Sequence, residues 1–134
     1  MSVIVTDRGF APDDWTGAFA LPEPASGNVA ALDLSSDTDP DQIPLHPTLR
    51  LVRVDFPSSS DGRGFSIARR LRLRGFTGRL RARGHILADQ YAMARRAGFD
   101  EVEIDDALAA RQPEPQWRAR ANWQAHDYQS RLRG

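Results

Sequence analysis

The sequence contains no cysteine and no lysine, holds only three histidines, and has no apolar run near the ~18 residues of a membrane span. Without cysteine there is no disulfide framework, thiolate zinc site, iron–sulfur ligation or cysteine nucleophile. The start lacks a basic segment followed by an apolar stretch, so the expected compartment is the cytoplasm, with no membrane association. No HxxxH or carboxylate–histidine spacing marks a metal site, and no nicotinamide, flavin, haem or cluster motif is recognisable. Neither metal nor cofactor is therefore expected. What remains is a chain of 134 residues, a length that suits one small domain with a core needing no staples.

All 18 basic residues are arginine, balanced by 18 acids to a formal net charge of zero. Neutrality weighs against nucleic-acid binding. The balance conceals segregation along the chain. Residues 1–61 carry three arginines and ten acids, a net of −7. Residues 62–96 carry ten arginines and the single acid Asp89, a net of +9, and residues 97–134 return to −2. Coding bias accounts for arginine over lysine on composition grounds. Arginine nevertheless presents a rigid donor fork suited to carboxylates, phosphates and sulfates. Two readings of the block stay open: a solvated face or pairing with the acidic flanks, and a surface for an anion or partner.

The pattern along the chain predicts a single α/β domain over residues 28–134, preceded by an irregular arm over 1–27 with at most a brief edge strand at Val3–Val5. Strands are expected at 28–34, at 49–56 where LRLVRVDF alternates, at 79–83 and at 99–104. Pro40 after Asp39 suggests one helical turn. Helices are expected at 63–74, with Phe65, Ile67, Ala68 and Leu71 inward and Arg69, Arg70, Arg72 and Arg74 outward, then at 86–97 and 105–111, the last capped by Asp105. A final strand or arm would run over 117–128. Trp117, Trp123 and Tyr128 are expected to cover the core. Strand–helix alternation at this spacing implies βαβ crossovers on a mostly parallel sheet. Arg79, Arg81 and Arg83 strain that reading, because parallel strands usually have both faces covered. Either their strand is an edge or they line a cavity or interface.

Two strand-to-helix junctions are candidate sites, since ligands of open α/β sheets bind beyond the carboxyl ends of strands. Asp61-Gly62-Arg63-Gly64 follows one strand and Arg83-Gly84-His85 another, which would gather Asp61, Arg63, Ser66, His85 and Asp89. The two loop glycines would allow an oxyanion close backbone approach, although Asp-Gly is also ordinary turn chemistry. His85 is either a surface residue or a general base. Asp89, beside Gln90, either complements a helix N-terminus or pairs with Arg63 or Arg81.

The residues from Phe56 to Glu103 (FPSSSDGRGFSIARRLRLRGFTGRLRARGHILADQYAMARRAGFDEVE) carry a resemblance. Phe56-Pro57, the Asp61–Ser66 loop, Arg69, Leu71-Arg72, Gly78, Leu80–Ala82, Gly84, Leu87, Asp89-Gln90, Arg96 and Gly98–Asp100 match one bacterial family. It is the domain of unknown function usually encoded beside assimilatory sulfite reductase, and often labelled an oxidoreductase. The motif core spans residues 56–104. This chain departs from the pattern at Arg79 (glutamate in the family), His85 (aspartate) and Ala97 (cysteine), so no redox role can rest on that cysteine here. The resemblance implies association with sulfate assimilation through genomic neighbourhood.

Two functions are therefore expected as alternatives. One is an accessory protein of sulfite reduction that binds sulfite reductase, another sulfur-assimilation protein or a small oxyanion. Its surface would comprise Asp61, Gly62, Arg63, Gly64, Ser66, Arg69, Arg72, Arg81 and Gln90, and an oligomer is compatible with it. The other is a small enzyme acting on an anionic sulfur or phosphate compound, with His85 or Asp89 as acid/base and Arg63 as clamp.

Overall fold

The computed structural model describes residues 2–22 and 29–126. Its strands are Ser2–Thr6 (β1), Gly9–Pro12 (β2), Ala31–Leu34 (β3), Leu51–Phe56 (β4), Arg79–Gly84 (β5) and Glu101–Asp105 (β6). Its helices are Arg63–Leu73 (α1), Tyr91–Ala97 (α2), Asp106–Arg111 (α3) and Glu114–Arg118 (α4), with 3-10 turns at Pro40–Gln42, Ala88–Gln90 and Trp123–His126. One sheet runs in the order β2-β1-β6-β5-β4-β3. Strands β3 to β6 are parallel and lie in chain order, whereas β1 is antiparallel to both β6 and β2. This is the expected α/β architecture with βαβ crossovers. Each crossover advances by one strand without reversing, so right-handed connections put α1 and α2 on the same face.

Strict alternation decides what each face carries. Towards the helices point Val52, Val54, Phe56, Leu80, Ala82, Val102 and Ile104, which join Ile67, Ala68, Leu71, Tyr91 and Ala94 in one buried apolar cluster. Trp117 completes it, with its ring edge-on to Tyr91 and its indole N–H donating to the Gln112 carbonyl at 2.7 Å. Asp105 caps α3 as expected, accepting from the Leu108 amide at 2.8 Å. Asp39 caps the Pro40 turn through the Asp41 amide at 3.0 Å.

The other face is a lattice of charges. Asp33, Arg53, Arg81 and Glu101 stand in direct register on four adjacent strands. Arg53 forks onto Asp33 at 2.5 and 2.6 Å and reaches Glu103 at 3.1 Å. Arg81, fully buried, binds Glu101 through Nε at 2.6 Å and Glu103 through Nη1 at 2.9 Å. Arg79 donates to Glu101 at 2.8 Å. Thus β5 is not an edge: it is central, each of its arginines faces carboxylates from neighbouring strands, and only Arg83, near its end, also borders a cleft.

Residues 2–22, the described part of the expected irregular arm, are ordered differently. Residues 2–12 form a β-hairpin, and Ser2–Thr6 is an interior strand, with β2 at the edge. From Pro12 the chain straps across the charged face to the opposite edge, where Ala20 bridges Leu32. On the way Asp13 meets Arg81 at 3.2 Å, Asp14 meets Arg79 at 2.8 Å, and the Phe19 ring lies 3.7 Å from the Arg53 guanidinium carbon. At the far end of the chain, residues 114–118 and 123–126 are helical where a strand or arm was expected. Tyr128 lies outside the described residues.

Removing a buried cation strands its carboxylates in a low-dielectric setting. Arg81→Met is expected to cost about 3–5 kcal/mol, against under ~0.5 kcal/mol for the exposed Arg69→Gln, read by urea unfolding. Equal losses would show that the lattice contributes nothing special. The strap has its own signature. Hydrogen bonding from Arg79 holds the Asp14 carboxyl below the usual carboxylate range, despite slight burial. The pairing therefore holds above about pH 4 and is lost as pH falls through the lowered value. Asp13→Asn/Asp14→Asn should show at neutral pH the loss of amide protection at Trp15 and Phe19, relative to intrinsic exchange rates, that the unaltered chain shows only in acid. Unchanged exchange would exclude these pairs as the fastening.

Candidate functional site

The Asp61–Gly64 loop satisfies itself. Asp61 Oδ1 accepts from the Arg63 amide at 3.1 Å and from Arg63 Nε at 3.0 Å, while Oδ2 accepts from Nη2 at 2.7 Å. Nη2 also donates to Ser36 Oγ at 2.9 Å. These bonds, the side-chain ones first, hold the Asp61 carboxyl well below its ordinary range. Gly62 occupies the N-cap position of α1. Gly64 answers to packing: a Cβ there would sit 2.4 Å from Phe56 Cζ. Ser66 is exposed beside a shallow groove that also contains Asp37, Thr38 and Arg63. Gln90 ties the loop to the turn before α2, accepting from the Leu87 amide at 2.8 Å and donating to the Ser59 carbonyl at 2.7 Å.

The arginines expected to form the binding surface divide sharply. Arg81 is buried in the lattice. Arg72 was expected to face outward, yet all five of its N–H donors are engaged within the fold. Nε and Nη2 bond the Gly98 carbonyl at 3.1 and 2.9 Å. Nη1 bonds the Phe76 and Gly78 carbonyls at 3.0 and 2.7 Å, and Nη2 reaches Asp100 at 2.9 Å. This guanidinium clamps the turn after α1 to the turn after α2 and has nothing left for a partner. Arg70 pairs with Asp41 at 2.6 Å, and Arg74 donates to the Pro40 and Ile43 carbonyls at 2.6 and 2.7 Å. Of the four arginines expected on that surface, Arg63 pairs with Asp61, and only Arg69 is exposed with no partner among the described residues.

Arg69 has company on the outer side of the helix layer. The buried arc of α1 (Gly64, Ile67, Ala68, Leu71) leaves Leu73 outward, with Arg69 on the flank from which Arg72 reaches the end of α2. The buried arc of α2 (Tyr91, Ala94, Ala97) leaves Arg96 outward, and Met93 borders with it a groove whose other side is Ala119, Arg120 and Trp123, while Arg95 binds Asp7 and stacks on Trp123. Leu73 and Met93 are two of the three exposed large apolar residues among those described. Arg96 bonds only the Trp123 carbonyl, at 3.1 Å.

His85 and Asp89 go separate ways. Asp89 pairs with Arg120 at 2.8 Å on an exposed surface, rather than with Arg63 or Arg81. His85 lies beyond the carboxyl end of β5, its ring Nδ1 3.4 Å from the Phe56 carbonyl. No hydrogen bond or ion pair joins His85 to Asp61 or Asp89 among the described residues. His85 instead borders a cleft of about 290 Å³ at the ends of β4, β5 and β6. That location follows from strand polarity and was expected. Arg111, on the far wall, was missed, because nothing in the sequence spacing signals that α3 folds back over the strand ends. No group of three His, Asp or Glu side chains is arranged to hold a metal ion, and no helix is long and apolar enough to cross a membrane, among the described residues.

A family model for bacterial proteins of unknown function, DUF934, matches residues 31–134. The chain belongs to the DUF934 family. The match opens at the first residue of β3, so the hairpin and strap precede it, while both helical crossovers, strands β3 to β6 and the strand-end cleft apart from Ser2 fall within it. No curated protein and no solved structure matches the chain.

If Gly64 serves packing, Gly64→Ala costs about 1–3 kcal/mol, and adding Phe56→Leu recovers part of the loss on chemical unfolding. No recovery in the double variant would return the glycine to a role in the loop itself.

Proposed function

We propose that this DUF934 protein is a non-catalytic accessory of the sulfite-reduction system, docking an acidic surface of its partner on the outer face of α1 and α2. One observation carries the reading: Arg69, Leu73, Met93 and Arg96 are all exposed on two packed helices, where most other arginines of the central block are paired inside the fold. Arginine and methionine are enriched at interfaces because a delocalised cation and a polarizable chain desolvate cheaply. A face both cationic and apolar selects a partner whose contact surface is acidic and in part apolar. Assignment of that partner to sulfite reduction rests on the family resemblance. The enzymatic alternative has less support, since its acid/base candidates are held apart.

The test is binding of purified sulfite reductase to the full chain by calorimetry at two salt concentrations. Arg69→Gln/Arg96→Gln should weaken binding about tenfold or more and flatten its salt dependence. Leu73→Ser/Met93→Ser should weaken it without changing that dependence. Unaltered affinity in both variants, or no binding by the original chain, would sink the proposal.

A further inference from the structure

We propose that the cleft beyond β4, β5 and β6 is a binding site for a small organic anion, one carboxylate or phosphate carried on an apolar body. The cleft sits where open α/β sheets take their ligands, at the carboxyl ends of the parallel strands. Its basic groups have donors to offer. Arg111 makes no hydrogen bond or ion pair among the described residues. Arg83, half exposed, is held only by ion pairs at 3.5 Å, to Asp55 and to Glu103. His85 adds a third donor at the rim.

Three acids line the same cleft: Asp55 faces Arg83 at 3.5 Å, so an incoming anion competes with it for that guanidinium, and the other two are engaged elsewhere. Glu103 is bound by Arg53, Arg81 and the Ser2 hydroxyl, and Asp105 caps α3. An incoming anion would therefore meet the two guanidinium forks as its principal polar partners, in the geometry that suits carboxylate and phosphate oxygens. The apolar part of the lining comes from Phe56, Pro57, Ile104 and Leu108.

Size separates the ligand classes. A volume of about 290 Å³ equals roughly ten waters at ~30 Å³ each. A bare sulfite or sulfate ion would fill a minor part and leave the apolar lining wet, whereas an anion with a ring or short chain covers both. The site is also pre-formed. Gly84 turns the end of β5 at φ +118°, where a Cβ would lie 2.5 Å from the Phe56 carbonyl, and that carbonyl accepts from the His85 amide at 3.0 Å. Backbone, rather than a mobile loop, therefore fixes the rim.

Amide NMR titration of the full chain with phenyl phosphate and benzoate tests this directly, with benzylamine and sulfate as comparisons. Saturable shifts at Gly84, His85 and Leu108 are expected from the aromatic anions at millimolar concentration, with sulfate at least about tenfold weaker. Arg83→Gln/Arg111→Gln should remove the binding, and Arg69→Gln should leave it unchanged. The proposal fails if neither aromatic anion saturates, if benzylamine or sulfate binds as well, or if the double variant keeps its affinity.

Discussion

The buried guanidinium of Arg81 is the constraint around which this fold is arranged. It lies on a central strand with no exposure, between Glu101 and Glu103 of β6 and under Asp13 of the strap. Burying a cation is costly unless carboxylates and hydrogen bonds surround it. Those carboxylates come from an adjacent strand in fixed register and from a segment 68 residues earlier in the chain. Slipping β5 by one residue would drive three arginines into the apolar layer and put Leu80 and Ala82 among the carboxylates. Charge therefore specifies register here as firmly as hydrophobic patterning does.

That choice shapes the rest of the molecule. Because the lattice face is charged, the helices gather on the apolar face, and a two-layer domain results. The lattice still needs cover, which the strap supplies with two carboxylates and the Phe19 ring rather than a helix. The helix layer has one side against the sheet and the other only partly covered, by residues 119–123 beside α2, so Leu73 and Met93 stay exposed, as do Arg69 and Arg96. At the strand ends the lattice runs out. Arg83 is the last arginine of β5 and the least confined, and there it becomes part of a cleft instead of a strut.

Much of this was legible in the residues. Alternation in LRLVRVDF and RLRARG located β4 and β5, the apolar spacing of Ile67, Ala68 and Leu71 located α1, and Asp105 marked the start of α3 within one residue. The strand-end position of His85 followed from topology. Other features were not legible. Arg72 reads as outward on a helical wheel, yet its side chain is long enough to reach the carbonyls of two separate turns. The N-terminal segment reads as irregular because proline and glycine punctuate it and its acidic residues lack local partners. Their partners lie on β5, visible only once the chain has crossed the sheet.

Segregated charge was a property of the sequence alone: a net −7 before residue 62, +9 across the centre and −2 after it follow from counting. So did the absence of thiol chemistry, and the α/β alternation. Whether the central arginines faced solvent, an anion or their own flanks was decided by tertiary structure. An arginine's donors go to whichever acceptors the fold brings within reach, and acceptors 20 to 68 residues away along the chain are set by sheet register and strap path rather than by neighbouring residues. Most of the block turned inward for that reason. The few arginines left over lie on the helix face and at the strand ends.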